Sequence, residues 1–143
     1  MIGDLLKTIF RPSPADRAFK KCFAASIELG TAVMMFHESF KAVGTDLPPD
    51  ESALDELGRI LDRSAEPEQT LDGVSVFLGC IITEQLGGTW QRASGGYQIV
   101  GVGTQKRVVD LSGDIRTPLT GQHQLTPRAV YERIRKQVGP VVV

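Results

Sequence analysis

The chain has 143 residues, a formal net charge of −1 and 41% apolar residues, which fits one domain of ordinary size with a hydrophobic core. Because acidic and basic residues nearly balance and only 6% of residues are aromatic, the composition argues against a general nucleic-acid binder. The N-terminal apolar run is interrupted by charges and the central one is too short for a bilayer, so we expect a cytoplasmic protein with no signal peptide and no integral membrane segment.

An amphipathic segment at residues 2–10 precedes the first predicted long helix. We interpret it as docked on the domain, and a membrane-surface or partner-binding helix remains the alternative, although its polar side carries little charge. Ser13 and Asp16 match a capping box around Pro14, which predicts that the long helix begins there. Apolar residues at helical spacing extend it to about Val43.

The first long helix contains two features with structural consequences. Gly30 lowers the helix propensity, and we expect it to mark a close crossing with the central helix. Met34, Met35 and Phe36 form an apolar stripe on this helix, and such a stripe at helical spacing is typical of core packing rather than of a ligand groove. Cys22, in the same helix, and Cys80 lie among apolar neighbours, so we expect buried free thiols, with a disulfide or a reactive site as the alternative.

A short amphipathic helix and then a central apolar helix follow. Asp50 is the expected cap of the short helix, whose apolar residues fall between positions 54 and 61. The stretch 71–86 is apolar nearly all round, so we expect a helix that is buried on more than one side and forms the spine of the fold. Thr70 is its expected N-cap, and Gly87 ends it.

Beyond the central helix the pattern changes from helical to extended. Strand-like segments at residues 89–91, 97–102 and 105–111 are separated by glycine-containing turns. Consecutive strands with short turns predict an antiparallel meander, whose inner face rests on the helix at 71–86. We interpret Trp90 as a lid over the end of that helix, and a binding-site aromatic is the alternative.

The C-terminal part of the chain is predicted as a loop, a helix and a tail. Residues 112–125 contain glycine and proline without clear periodicity, so we expect a long loop of the kind that often carries function. Thr126 and Pro127 predict the start of a last helix that ends at Gly139. The apolar tail 140–143 is expected to dock, to pair at a sheet edge or to engage another chain.

These elements predict an α+β fold, in which N-terminal helices pack on a small antiparallel β-meander that is closed by a C-terminal helix. We expect a single domain over residues 1–143, because no linker is long enough to divide the chain. Its predicted parts are an N-terminal segment (1–12), a helical part (13–87), the β-meander and loop (88–125) and the C-terminal helix (126–139).

Four residues are candidates for ligand binding: Glu84, Trp90, Arg116 and His123. Glu84 lies on the least apolar side of the central helix, whereas Arg116 and His123 lie in the predicted loop. No catalytic set assembles in the sequence, and neither His37 nor His123 has a partner at metal-ligand spacing. We therefore predict no catalytic residue, no metal site and no cofactor.

Two weaker patterns are interpreted as structural. Gly101 and Gly103 lack the third glycine and the following helix of a dinucleotide-binding motif, so we interpret them as turn or bulge glycines. A cationic rim for phosphate or an acidic partner is offered by Arg92, Lys106, Arg107 and the loop residue Arg116. A solvated strand face is the simpler interpretation of these charges.

A short motif suggests a resemblance. Leu78-Gly79 is followed by Leu86-Gly87-Gly88-Thr89-Trp90, a hairpin and a short helix at 130–134. This order resembles bacterial domains of unknown function that carry a helix–strand junction of the type LGxxxxxxLGGxW, and the likeness covers residues 71–138. It implies an α+β domain and supplies no catalytic residue. An acidic residue commonly follows the first Leu-Gly of that pattern, whereas this chain has Cys80 there.

The functional hypothesis that follows is a non-enzymatic protein–protein interaction module of immunity or adaptor type. It would bind another protein, or itself, through the sheet face, the long loop or the apolar termini. The alternative is a small-molecule-binding protein or minor enzyme with a pocket between the sheet and the 112–125 loop, using Glu84, Arg116 and His123. A third hypothesis is membrane-surface association through residues 2–10.

Overall fold

The computed structural model describes residues 13–121 and 124–139. Within these ranges the helices are α1 (Pro14–Ala25), α2 (Ile27–Lys41), α3 (Leu54–Arg63), α4 (Pro67–Leu86) and α5 (Pro127–Val138), and the strands are β1 (Thr89–Ala93), β2 (Gly96–Val102) and β3 (Arg107–Asp110). The strands form one antiparallel sheet in the order β1-β2-β3, which confirms the predicted α+β meander. The expectations for residues 2–10, His123 and the tail 140–143 fall outside the described residues.

Helix α4 is the spine of the fold. Thirteen of its 20 residues are buried, so the expected burial on more than one side is confirmed. The helix begins at Pro67 and not after Thr70, because proline suits the first helical position and continues the helix by one more turn. It ends at Gly87, whose φ of 82° is readily adopted by glycine.

The sheet packs its inner face on α4. Trp90 pairs with Ile99, and Ile99 pairs with Val109, so three buried side chains lie across the sheet on one face. A register shift between Ile99 and Val102 surrounds Gly101, which has a φ of 75°. The interpretation of Gly101 as a bulge glycine is confirmed, because a bulged residue at positive φ favours glycine.

The interpretation of the N-terminal region as one long helix is wrong. Ser26 adopts φ −165° and ψ 135°, which ends α1, and its hydroxyl caps α2 by accepting a hydrogen bond from the Leu29 amide at 3.4 Å. The close approach at Gly30 is also not to the central helix. A Cβ atom at Gly30 would lie 2.3 Å from the Phe23 ring, so this glycine lets α1 and α2 pack together.

The segment after β3 is helical and not an open loop. Leu111–Arg116 form a π-helical turn and Thr117–Leu119 a 3₁₀ turn. Asp110 holds the first turn, because its carboxylate accepts from the Gly113 amide at 2.6 Å. Ile115 and Leu119 are buried in the core, which gives this glycine- and proline-containing segment a reason to fold.

Helix α5 closes the core as expected. Thr126 caps it by accepting from the Ala129 amide at 3.1 Å, and Pro127 occupies the first turn. Its buried stripe joins one apolar cluster that includes residues of α1, α2, α3, α4 and the sheet. Among the described helices, none is both long and apolar enough to cross a bilayer.

Candidate functional site

Glu84 lies near the C-terminal end of α4 and forms an ion pair with Lys21 of α1. The Lys21 Nζ atom is 3.3 Å from Glu84 Oε1, and the Glu84 side chain is mostly shielded from solvent. A carboxylate in this position ties α1 to α4 across the surface of the core. Its role as a ligand contact stays a prediction.

Arg116 lies at the opposite end of α4. Its guanidinium donates to Asp72 at 2.8 Å and to Glu68 at 3.1 Å. The hydrogen bond from Arg116 to Asp72 raises the pKa of the arginine, because it stabilises the charged form. Asp72 and Glu84 are twelve residues apart, which is about 18 Å along a helix, so the structure does not bring Arg116 and Glu84 together.

Trp90 is 3% exposed and covers the middle of α4. A Cβ atom at Gly79 would lie 2.4 Å from Trp90 Cη2, so the indole occupies the space that the missing side chain leaves. The Trp90 Nε1 atom is buried without a hydrogen-bond partner among the described residues. Of the four predicted ligand contacts, Trp90 is thus a core residue, and His123 lies outside the described residues.

His37 is a buried histidine that sequence reasoning left unassigned. Its ring lies edge-on to Phe19 with centroids 5.0 Å apart, and it stacks on Phe77 at 6.1 Å with an interplanar angle of 5°. Its Nδ1 atom is buried and has no hydrogen-bond partner within the described ranges. Among the same residues, no group of three or more His, Cys, Asp or Glu side chains is arranged to hold a metal ion.

The arginines of the predicted cationic rim have separate hydrogen-bond partners. Arg92 donates toward Ser26 at 3.5 Å, and Tyr97 donates to the same hydroxyl at 2.8 Å. Arg107 instead donates to the side chain of Gln105 at 3.1 and 3.2 Å. The contacts of Arg92 and Tyr97 with Ser26 join the sheet to the break between α1 and α2.

The exposed apolar side chains are concentrated on α2 and just after it. Met34 is 40% exposed and Met35 64%, so the interpretation of these methionines as core residues is wrong. Ile27 and Val43 are each 76% exposed, whereas only Val108 is a comparable residue on the described part of the sheet. Helical spacing was the misleading signal, because α2 has apolar residues on more than one face and the core covers only one.

A groove runs beside α2, and we call it the α2 groove. Its larger part is a cavity of about 560 Å³ between α2 and the start of α4, lined by Ala32, Met35, Phe36, Ser39, Phe40, Gln69, Thr70, Asp72 and Gly73. Phe40 and Thr70 also line an adjoining cavity of about 250 Å³ that reaches Val43 and α3. Gly73 makes the floor, because a Cβ atom there would lie 2.3 Å from the Phe36 ring.

The segment between the end of α3 and the first turns of α4 is acidic, and Asp72 of this segment lines the α2 groove. Residues 62–72 contain four carboxylates and a single arginine, and Arg116 pairs with two of the four, Glu68 and Asp72, while offsetting one negative charge. Asp62 and Glu66 are exposed. The apolar floor of the groove therefore lies next to a chain segment of net negative charge.

A separate cavity of about 370 Å³ lies between β3, the 111–116 turn and α5. Val109, Ile134 and Val138 give it apolar walls, and Arg107 and Asp114 stand at it with opposite charges. This is the region in which the sequence predicted a pocket. Neither Glu84 nor Arg116 lines it.

Comparison with known proteins adds no constraint on function. No protein-family model, no curated protein and no solved structure matches this chain.

Proposed function

We propose that this chain is a protein-binding domain that docks an amphipathic helix of another protein in the α2 groove. The observation that carries the proposal is the position of exposed Met35 and Val43 beside two adjoining cavities that meet at Phe40. Large exposed apolar side chains next to a concave surface are typical of protein interaction sites.

The dimensions of the α2 groove suit a helix. From Ala32 to Phe40, the last lining residue within α2, the groove follows about 12 Å of helix axis, which matches two turns of an incoming helix. Apolar anchors spaced by three or four residues would reach both cavities in turn. Met35 favours such an occupant, because a methionine side chain is flexible and adapts to irregular apolar partners.

The charge of the 62–72 segment favours one class of partner. Because the 62–72 segment is acidic, lysine or arginine residues that flank the apolar face of the incoming helix would meet opposite charge. An acidic helix would meet like charge along the same segment. The proposed occupant is therefore an amphipathic helix of another protein whose apolar face has basic flanks.

The proposal is tested with three synthetic amphipathic helical peptides that share one apolar face and differ only in basic, neutral or acidic flanks. We expect fluorescence anisotropy to show binding in the order basic, neutral, acidic, with an affinity that falls as salt rises. Met35→Gln removes an apolar contact without adding charge, and we expect it to weaken the basic peptide about tenfold, the usual effect of losing one buried side chain.

Ile27→Gln is the matched control, because Ile27 is an apolar residue on the same helix that is 76% exposed, against 64% for Met35, but does not line the α2 groove. It should leave peptide affinity unchanged. Equal binding of all three peptides, or equal effects of the two substitutions, would contradict the proposal. If the chain dimerises and Met35→Gln abolishes the dimer, the occupant of the α2 groove is a second copy of this protein and not a helix of another protein.

The cavity beside β3 supports a second candidate function, the binding of a small molecule. Its volume of about 370 Å³ falls in the range of small-ligand sites, and Arg107 and Asp114 would orient a polar ligand between apolar walls. A thermal-shift screen of nucleotides and small metabolites tests it, with Arg107→Ala as the comparison. A ligand that raises the melting temperature of Arg107→Ala as much as that of the wild type binds elsewhere.

A further inference from the structure

The two cysteines of the chain meet in the core. Cys22 of α1 and Cys80 of α4 are separated by 58 positions in sequence, yet their Sγ atoms are 3.4 Å apart. Both are free thiols with no exposed surface, which confirms the expectation of buried thiols. Sequence spacing alone gives no reason for this contact.

The packing of α1 on α4 holds the sulfur atoms together. The ion pair between Lys21 and Glu84 lies beside the thiols, one residue from Cys22 and one helical turn from Cys80. A disulfide bond is about 2.05 Å long, so the sulfurs need to close by about 1.4 Å. Rotation of the two side chains about their Cα–Cβ bonds is the smallest movement that brings the sulfur atoms closer.

We propose that Cys22 and Cys80 are a dithiol that oxidises to an internal disulfide and cross-links α1 to α4. With glutathione disulfide as oxidant, the thiolate of one cysteine attacks a sulfur of the oxidant and releases one glutathione thiolate. The second cysteine, as thiolate, then attacks the mixed disulfide and releases the other. Two protein thiols are oxidised, one glutathione disulfide is reduced, and the two protons end on the two released glutathione molecules.

The oxidation is slow in the folded state for a physical reason. The hydrogen bond with Cys22 and burial both raise the pKa of Cys80, so little thiolate is present. The oxidant also reaches the thiols only when α1 opens away from the core. The pair therefore responds to the lasting redox state of its surroundings and not to brief exposure to an oxidant.

The test equilibrates the full chain in glutathione buffers of set ratio, starting once from reduced and once from oxidised protein. We expect both to converge on the same fraction of a form that is about 2 Da lighter, with the Cys22 and Cys80 peptides linked in a non-reducing digest. Because the bond closes a 58-residue loop, the oxidised form should melt higher by roughly 10 °C.

Cys22→Ala and Cys80→Ala are the controls, and in the same buffers each should gain a glutathione adduct or remain unmodified. Three results would overturn the proposal: a wild-type chain that stays reduced at an oxidising glutathione ratio, even when it is refolded there, stable glutathione adducts in place of the cross-link, or an oxidised form that melts below the reduced one. None of these readouts depends on the α2 groove, so the two proposals fail separately.

Discussion

Replacing Gly79 by alanine sets two opposing effects on α4 against each other. Alanine favours the helix by about 1 kcal/mol relative to glycine. The added methyl group, however, would lie 2.4 and 2.5 Å from two ring carbons of Trp90, a contact that real Cβ atoms do not make. Trp90 is rigid and 3% exposed, so it cannot swing away into solvent.

Overpacking of this kind costs typically 1–3 kcal/mol, and a 2.4 Å approach to a buried ring belongs at the upper end. After subtraction of the helical gain, Gly79→Ala should lower the free energy of unfolding by about 1–2 kcal/mol and the melting temperature by roughly 5 °C. Urea denaturation followed by circular dichroism measures the change, with an unchanged slope showing that the unfolded state is the same.

Gly58 of α3 offers a matched control. A Cβ atom there meets nothing closer than Pro127 Cδ at 3.7 Å, which is ordinary contact. Gly58→Ala should therefore stabilise the protein by about 0.5–1 kcal/mol through helix propensity and unfolded-state entropy. In a Trp90→Phe background, which lacks the two ring carbons in question, the penalty of Gly79→Ala should largely disappear. A stabilising Gly79→Ala, matching Gly58→Ala, would refute the packing of Trp90 on α4.

Three further predictions concern single side chains. Burial, aided by the Glu51 carboxylate, raises the pKa of Tyr131, so the stability it contributes is complete below the ordinary tyrosine value of about 10 and is lost as pH rises beyond it. When melting temperatures are measured over a series of pH values, Tyr131→Phe should lose less stability in alkaline solution than the wild type. Parallel curves for the two proteins would contradict the assignment of the alkaline loss to Tyr131. Arg116→Ala should cost less than about 1 kcal/mol, because the side chain is one-third exposed, and the cost should shrink in high salt. His37→Leu removes a buried nitrogen without a partner and should stabilise the chain by up to about 1 kcal/mol in urea titrations; a large loss would show that ring packing dominates.

Local signals in the sequence were enough to predict those element boundaries that depend on neighbouring residues alone. The capping patterns at Ser13 and Thr126 and the change of periodicity after Gly87 predicted element boundaries that the structure confirms. Each of these signals acts over a few residues, because a cap or a glycine turn satisfies backbone groups next to it. The α+β class follows from the same short-range patterns.

The errors have long-range causes. The Ser26 hydroxyl at the break also accepts a hydrogen bond from the Tyr97 hydroxyl, 71 positions away, and no local pattern encodes that contact. Residues 112–119 contain glycine and proline, yet burial of Ile115 and Leu119 makes them helical. Met35 fits a core spacing, but no described element lies over that face of α2.

Sequence also limited the choice of candidate site residues. Glu84 and Arg116 stand out as charges among apolar neighbours, but each has a structural partner from a distant segment, Lys21 for the first and Asp72 for the second. The α2 groove and the cysteine pair exist only because separate helices meet. Residue type alone therefore identified polar positions and could not identify concave surfaces.

The hydroxyl of Ser26 has a consequence for the order of folding during synthesis. It is the joint at which the α1–α2 hairpin meets the sheet, and its partners Arg92 and Tyr97 follow it by 66 and 71 positions. A nascent chain that has not yet reached β1 lacks both partners, and one that ends between β1 and β2 still lacks Tyr97, so the complete set of sheet contacts that holds the bend between α1 and α2 is missing. Contacts of this sequence separation slow folding, and we expect the N-terminal hairpin to take its final angle only after the ribosome has released the sheet.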